Sequence, residues 1–170
     1  MKKYLPAIVC GFGAGVLNTV PIVKSFSCCM IIPLAAVVSL VLEQRSRGVR
    51  EEIKTKNAMS LGLLTGIFAA LFGTALEVLV ILITRNSDLA AGLPAIEQMA
   101  NQMAAPEVVK QMLDIMYKMV DDIAKYGFSF LYTFSILISS MIINSIFGTL
   151  GGLLGMAILN SRLKNDEGNF

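Results

Sequence analysis

The amino-acid sequence predicts an all-α integral membrane protein, a single transmembrane domain with four spans, and three observations support this prediction. The 170 residues are 55% apolar and 15% charged, whereas about 25% of the residues in an average soluble domain are charged. Four apolar stretches lie at about 5–23, 28–43, 58–84 and 128–160. Basic residues gather on one side of these stretches, which is typical of inserted membrane proteins.

The lengths of the four stretches fit a helical bundle. A helix needs about 20 mostly apolar residues to cross a bilayer, so the third and fourth spans are long enough to tilt or to extend beyond the lipid. The second stretch is short and forms a tight hairpin with the first, with Pro21 and Pro33 in it. The apolar run after Met1 lacks a clean cleavage site, so we expect a mature helix there and not a signal peptide.

The distribution of Lys and Arg predicts the orientation. Nine of the 14 basic residues fall on one side of the four spans. They are Lys2, Lys3, Arg45, Arg47, Arg50, Lys54, Lys56, Arg162 and Lys164. The positive-inside rule then places both termini and the basic loop 44–57 in the cytoplasm, and the loop 85–127 outside the inner membrane.

The long outer loop 85–127 has a helical pattern of its own. Pro94 and Pro106 each lie where a helix could begin, because proline suits the first turn. After Pro106, apolar residues recur at spacings of three and four. They are Val109, Met112, Met116, Met119 and Ile123. This pattern predicts one or two amphipathic helices, lying on the outer membrane surface or across the mouth of the bundle.

Glycines follow one face of three of the predicted helices. In the fourth span, Gly148, Gly151, Gly152 and Gly155 share an arc of about 100°. The segment lacks the Gly-Lys-Ser/Thr end and the preceding strand of a phosphate-binding loop. Gly11 and Gly15 in the first span, and Gly62, Gly66, Ala69 and Gly73 in the third, repeat the pattern. We expect these faces to be surfaces on which helices approach each other closely.

A polar residue accompanies each glycine face. Asn18 follows Gly15 by one turn, Glu77 follows Gly73, and Asn144 precedes Gly148. An ionisable residue within a span suggests a functional site, and a buried Glu77 could be protonated and donate a hydrogen bond to an asparagine. Alternatively, Glu77 is an anchor at the membrane interface, directed towards Arg85, and the asparagines support packing.

Several classes of function lack support in the sequence. There is no His, the net charge is +2, and no basic stripe indicates a nucleic-acid partner. Cys10, Cys28 and Cys29 cannot make an ordinary zinc site without His, and the role of the adjacent Cys28 and Cys29 stays open. The Met99 and Met103 pair and the other methionines have a spacing that could hold copper(I), but they also suit an apolar helix face. We therefore expect no metal and no cofactor.

Three segments together resemble a family of small four-span bacterial membrane proteins known only as a domain of unknown function. The segments are "GAGVLNTVPIVKSFSCC", "APEVVKQMLDIMYKMV" and "FGTLGGLLGMAILNSR". The resemblance covers most of the chain and implies a multi-pass inner-membrane protein. It supplies no catalytic residue.

These observations predict a non-enzymatic membrane protein that acts through helix–helix association in the lipid bilayer, as a homo-oligomer or with a membrane-protein partner. No paired carboxylates, nucleophile with a base, or metal cluster stands out. The alternative is transport or permeation of a small ion or solute through a polar site around Glu77, with Asn18 and Asn144.

Overall fold

A computed structural model describes residues 4–20, 30–48, 52–102 and 107–167 of the chain. These residues form six helices and contain no strand, so the described protein is all-α, as predicted. The helices are α1 (Leu5–Asn18), α2 (Ile32–Arg47), α3 (Thr55–Thr84), α4 (Asp88–Gln102), α5 (Glu107–Tyr126) and α6 (Phe130–Glu167).

Contacts within the chain divide it into two compact units. Unit 1 comprises Met1–Leu76 and Leu137–Phe170, and unit 2 comprises Glu77–Ile136. Unit 1 therefore contains α1, α2, the first part of α3 and the later part of α6. Unit 2 contains α4 and α5 together with the last two turns of α3 and the first turns of α6.

Unit 1 packs its four helical segments around small residues. Alanines make up much of its fully buried apolar set: Ala7, Ala14, Ala36, Ala58, Ala69 and Ala70. The buried residues form two apolar clusters, and each also contains larger side chains: Leu40 and Leu61 in one, and Ile32 in the other. A core of small residues lets helix backbones approach closely.

Two of the helices are long and apolar enough to cross a membrane. They are α3 and the Phe130–Asn165 part of α6, and α1 is a shorter apolar helix. α3 begins three residues before the predicted third span 58–84 and ends with it, whereas α6 begins two residues after the start of the predicted fourth span 128–160 and ends seven residues beyond it. The described part of the predicted first span, 5–23, is helical only to Asn18, and the hairpin turn with Pro21, Cys28 and Cys29 lies outside the described residues.

The second helix differs from the predicted span 28–43 at its end. α2 continues to Arg47 and takes up the first residues of the predicted basic loop 44–57. It ends where Gly48 adopts a φ of +69° and its N–H bonds to the carbonyl of Arg45. Glycine takes this left-handed conformation without steric cost. The helix therefore ends at the glycine and not at the start of the charged segment, where the span was predicted to end.

Unit 2 contains two helices, α4 and α5, in the segment 85–127, for which one or two helices were predicted. The prediction that a helix begins at Pro94 is wrong, because Pro94 lies inside α4. The helix begins at Asp88, and the hydroxyl of Ser87 accepts a hydrogen bond from the N–H of Ala90 at 3.3 Å. A serine hydroxyl satisfies a free N–H of the first turn. α5 begins at Glu107, directly after Pro106, which lies outside the described residues.

Left-handed residues end two helices of unit 2. Arg85 follows α3 with a φ of +51°, and Gly127 follows α5 with a φ of +73°. The N–H of each bonds to a carbonyl four residues earlier, at Ile81 and Ile123. The core of this unit brings the side chains of Ile81 and Ile123 together with Tyr132.

Candidate functional site

The closest helix contact of unit 1 is an α3–α6 seam, formed by Ala58, Gly62 and Gly66 on α3 and by Asn144, Gly148 and Gly152 on α6. A Cβ atom on Gly62 would overlap the carbonyl oxygen of Gly148, and one on Gly148 would overlap the carbonyl oxygen of Gly62. The pairing is reciprocal, so the two backbones touch directly. Such contacts bring Cα hydrogens and carbonyl oxygens together, which adds weak hydrogen bonds to the packing.

The remaining glycines of α6 contact a different helix. A Cβ atom on Gly151 would overlap the backbone of Pro33, and one on Gly155 would lie 3.2 Å from the Cα atom of Val37. Both neighbours belong to α2. The four glycines that share one arc in the sequence therefore form two adjacent rows, and each row packs against its own helix.

The glycines of α1 pack on α3 through an α1–α3 seam. A Cβ atom on Gly11 would lie 2.6 Å from the Cβ atom of Phe68, and one on Gly15 would lie 2.9 Å from the backbone nitrogen of Gly73. Gly73 itself has more space, since the nearest atom to a Cβ atom placed there would be Asn18 Nδ2 at 3.6 Å. The small residues of α3 thus also form two rows, one facing α6 and one facing α1.

Asn144 is the most deeply buried of the three predicted polar residues. It is 3% exposed, its carbonyl oxygen lies where a Cβ atom on Gly66 would be, and its Nδ2 has no hydrogen-bond partner among the described residues. A buried amide donor without a partner costs about 1–3 kcal/mol. Asn144 therefore carries unused hydrogen-bonding capacity inside the α3–α6 seam.

Asn18 and Asn144 do not share a site. Asn18 is half-buried in the last turn of α1 and lies against Gly73, in the α1–α3 seam. Asn144 lies against Gly66, in the α3–α6 seam. Two asparagines on neighbouring glycine faces thus belong to two separate contacts of α3.

Glu77 belongs to unit 2 and has a phenol as a neighbour. Tyr132, 8% exposed, donates a hydrogen bond from its hydroxyl to Glu77 Oε1 at 3.3 Å. Tyr132 also forms the core of this unit with Ile81 and Ile123. The pair can hold a proton between a phenol and a carboxylate. No sequence pattern predicts it, because 55 positions separate the two residues.

A second carboxylate, Glu43 on α2, is buried in unit 1. Glu43 is 6% exposed and pairs with Arg47, one turn later. Ser39, one turn earlier, is fully buried, and its hydroxyl has no partner among the described residues. An i, i+4 spacing of Glu and Arg is the only sequence signal for this pair.

Asn160 joins the end of α6 to the segment before α3. Its Oδ1 accepts a hydrogen bond from the N–H of Ile53 at 2.9 Å, and its Nδ2 donates to the carbonyl of Ile53 at 3.1 Å. One amide thus satisfies both backbone groups of Ile53, a buried residue in the loop before α3. Its sequence neighbours show no pattern that would single it out.

The methionine-rich face of α5 is partly covered. Met116 and Met119 are half-buried, and Met119 packs on the core of unit 2, whereas Met112 is 58% exposed. Met103 lies outside the described residues. Among the residues that the structure describes, no cluster of three or more His, Cys, Asp or Glu side chains could hold a metal ion.

Comparison with known proteins adds no relative. No family profile matches the chain, and neither the curated proteins nor the solved structures contain a match.

Proposed function

We propose that the chain is a four-span protein of the bacterial inner membrane and that its work is non-enzymatic association of helices with a second copy or with another membrane protein. The distribution of side chains in unit 1 supports this proposal. Small residues fill the interior, whereas large apolar side chains lie on the surface. A soluble protein buries its large apolar side chains and rarely exposes extended apolar patches.

The short helices carry the same surface pattern as the long ones. On α2 the exposed residues Leu34, Val38 and Leu42 recur every four positions, and Met30, just before the helix, continues the series. On α1 the exposed apolar residues are Leu5, Val9, Phe12, Val16 and Leu17. Each helix thus has one face packed on small residues and another suited to lipid, which favours membrane insertion for all four segments.

The proposed orientation in the membrane rests on the same basic residues as in the sequence analysis. With Arg45 and Arg47 at the end of α2, and Arg162 and Lys164 at the end of α6, the positive-inside rule puts these helix ends and both termini in the cytoplasm. The loop that carries α4 and α5 then lies outside. The resemblance to four-span bacterial membrane proteins agrees with this topology.

On this proposal the surface that binds a partner is not formed by the glycine faces. Gly148 and Gly152 contact α3, and Gly151 and Gly155 contact α2, so these faces serve packing within one chain. A partner would contact the large apolar side chains instead. Substitution at Gly152 would disrupt unit 1 and would not test association.

Cysteine cross-linking in native membranes tests the association. On a background without Cys10, Cys28 and Cys29, we expect one of four exposed positions to give a disulfide-linked dimer. The four variants are Phe12→Cys, Val38→Cys, Leu71→Cys and Leu154→Cys, one for each helix of unit 1. Ala14→Cys, at a 3% exposed position, is the buried control and should not cross-link. Monomer at all four positions, together with no partner recovered by lysine cross-linking, would overturn the proposal.

Transport of a proton or a small cation is the second candidate, and the Tyr132–Glu77 hydrogen bond favours it. Ionisable residues within membrane spans often belong to ion pathways or proton relays. Vesicles with the reconstituted protein should then lose flux in Glu77→Gln and keep it in Asp114→Asn, a control at an exposed position of α5. Equal flux in wild type and Glu77→Gln would exclude this function.

A further inference from the structure

Hydrogen bonds and an ion pair hold the end of α6 beside the segment that leads into α3. Asn160 bonds to both backbone groups of Ile53, and Lys164 Nζ lies 3.9 Å from Glu52 Oε1. Both contacts belong to unit 1. The basic residues that end α6 and those that begin α3 therefore lie at one end of this unit.

The helices α2 and α6 run in the same direction and reach the same end together. A Cβ atom on Gly151 would overlap the backbone of Pro33, and one on Gly155 would lie 3.2 Å from the Cα atom of Val37. Four residues separate the two contacts on both helices, so the helices are parallel. At about 1.5 Å per residue, the basic residues of α2 lie about 12–15 Å beyond Val37, and those of α6 lie about 11–14 Å beyond Gly155.

This end of unit 1, which we call the basic end, has an excess of positive charge. Its exposed basic residues among those described are Arg45, Arg47, Lys54, Lys56, Arg162 and Lys164. Arg47 pairs with Glu43, and Lys164 pairs with Glu52. The other four form no ion pair with any residue that the structure describes. Over the segments 1–4, 43–57 and 160–167, the sequence has nine basic and five acidic residues, so the excess remains when every residue is counted.

Three of these unpaired basic residues each have an exposed apolar neighbour on the same helix face. The pairs are Leu42 with Arg45 on α2, Met59 with Lys56 on α3, and Ile158 with Arg162 on α6. The members of each pair are three or four positions apart, and such residues are neighbours on a helix surface. On each helix the apolar residue lies towards the middle and the basic residue towards the end.

We propose that the basic end binds anionic phospholipids, with the lipid phosphates on Arg45, Lys56 and Arg162 and the acyl chains on the apolar neighbours of these residues. The inference rests on the proposed membrane insertion and adds the class of lipid that the chain prefers. Guanidinium groups bind phosphate oxygens through two parallel hydrogen bonds, and basic clusters beside membrane helices attract anionic lipids. A soluble phosphate would use only the basic member of each pair, so the pairing favours a lipid.

Electron paramagnetic resonance of spin-labelled lipids tests this proposal on the whole protein. The chain is reconstituted in phosphatidylcholine vesicles that contain a trace of spin-labelled phosphatidylglycerol or of spin-labelled phosphatidylcholine. The fraction of each label that the protein immobilises gives the relative association constants of the two lipids. We expect phosphatidylglycerol to associate about fivefold more strongly, the effect of about one basic residue per lipid, and this preference should fall as salt is added.

Two triple variants locate the preference. The first removes three unpaired charges from the basic end: Arg45→Gln, Lys56→Gln and Arg162→Gln. We expect it to bind the two lipids equally. The matched control removes three charges from exposed positions of α5: Lys110→Gln, Lys118→Gln and Lys125→Gln. The control should keep the preference, and an unchanged immobilised fraction of phosphatidylcholine shows that both variants are folded and inserted.

Three results would overturn the inference: equal association of the two lipids in the wild type, an unchanged preference in the first triple variant, or loss of the preference when glycerol 3-phosphate is added at the concentration of the labelled lipid. The last result would identify a soluble phosphate as the ligand. In all three cases phosphatidylcholine is still immobilised, so membrane insertion stands. If the protein immobilises neither label, the proposed insertion is wrong and the inference fails with it.

Discussion

At the scale of single residues, the contact between Gly62 and Gly148 sets how closely α3 and α6 pack. We expect Gly148→Ala to destabilise the protein, because the new Cβ atom would overlap the carbonyl oxygen of Gly62 and lie 3.2 Å from the Cα atom of Gly66. Both neighbours are backbone, so the helices must separate. Overpacking of this kind costs about 1–3 kcal/mol, which unfolding in detergent would measure.

Gly13→Ala is the control for this substitution. Gly13 lies in α1, and no atom would lie within 4 Å of a Cβ atom placed there. Alanine in a helix interior is more favourable than glycine by about 0.5–1 kcal/mol, so Gly13→Ala should be neutral or stabilising. A loss of stability in Gly13→Ala equal to that in Gly148→Ala would show that helix contact is not the cause.

Asn160 supports a second prediction at this scale. Asn160→Ala removes both hydrogen bonds to the backbone of Ile53, and we expect a loss of about 1–3 kcal/mol if the backbone groups stay buried without partners. Protease cleavage near Ile53 should also become faster. Asn101→Ala, at an exposed position of α4, should change neither quantity. Unchanged cleavage in Asn160→Ala would mean that the amide does not fix this loop.

The sequence could point to Asn144 and to the glycines, because the helical wheel places them on one face. It could not point to Ser39, Glu43 or Tyr132. Whether a hydroxyl bonds to its own helix, whether a terminal Glu is covered, and which phenol reaches a carboxylate 55 positions away all depend on neighbours that only the packed helices supply.

At the scale of the elements, α3 shows why a glycine stripe is not one surface. A row of residues spaced by four drifts around the helix by about 40° per step, so neighbouring rows turn towards different partners. Gly62 and Gly66 contact α6, whereas Ala69 and Gly73 lie on α1. The sequence predicted close approach at these residues correctly in kind, but the number of partners per helix is a property of the bundle.

The ends of the helices were harder to predict than their central residues. Hydropathy reports where a segment leaves an apolar environment, whereas a helix ends at a residue that can take a non-helical conformation. Gly48 ends α2 five residues beyond the predicted span, and Ser87 places the start of α4 ahead of Pro94. Local backbone chemistry decided both boundaries.

The hydrogen bond between α4 and α5 supports a prediction on pH. Tyr117 donates from its hydroxyl to Glu97 Oε2 at 2.5 Å, and this bond raises the pKa of Tyr117. Since the folded pKa is the higher one, the bond contributes stability fully below the unfolded value of about 10 and loses it as the pH rises through the folded value. The pairing of α4 with α5 should therefore weaken only in strongly alkaline solution.

Phenolate absorbance measures this effect. The difference between wild type and Tyr117→Phe isolates the titration of Tyr117, and Glu97→Ala should move that titration to lower pH, because the acceptor and its negative charge are gone. Asp114→Ala, which removes an exposed acid from α5, is the charge control and should leave the titration where it is. If Glu97→Ala does not change the pH at which Tyr117 titrates, the hydrogen bond to Glu97 does not raise the pKa of Tyr117.

At the scale of the whole molecule, the sequence predicted helices and an apolar environment from composition and length. The structure adds that α1 and α2, only 14 and 16 residues long, carry exposed apolar faces like those of α3 and α6. Length alone would leave these two helices out of a membrane bundle, because about 20 residues are needed to cross. The proposal of four spans rests on the exposed apolar faces of these two helices.

The proposed topology predicts the accessibility of two further cysteines. On the background without Cys10, Cys28 and Cys29, Thr55→Cys lies at the exposed start of α3, and Asn101→Cys at an exposed position of α4. Because the proposed topology puts the loop before α3 in the cytoplasm, a maleimide that cannot cross membranes should label Asn101→Cys on intact spheroplasts and Thr55→Cys only after lysis. Labelling of both variants after lysis controls for reactivity. Labelling of Thr55→Cys on intact spheroplasts would show that the proposed orientation is wrong. If neither variant is labelled before lysis, α4 does not lie on the outer side, and the chain has fewer than four spans.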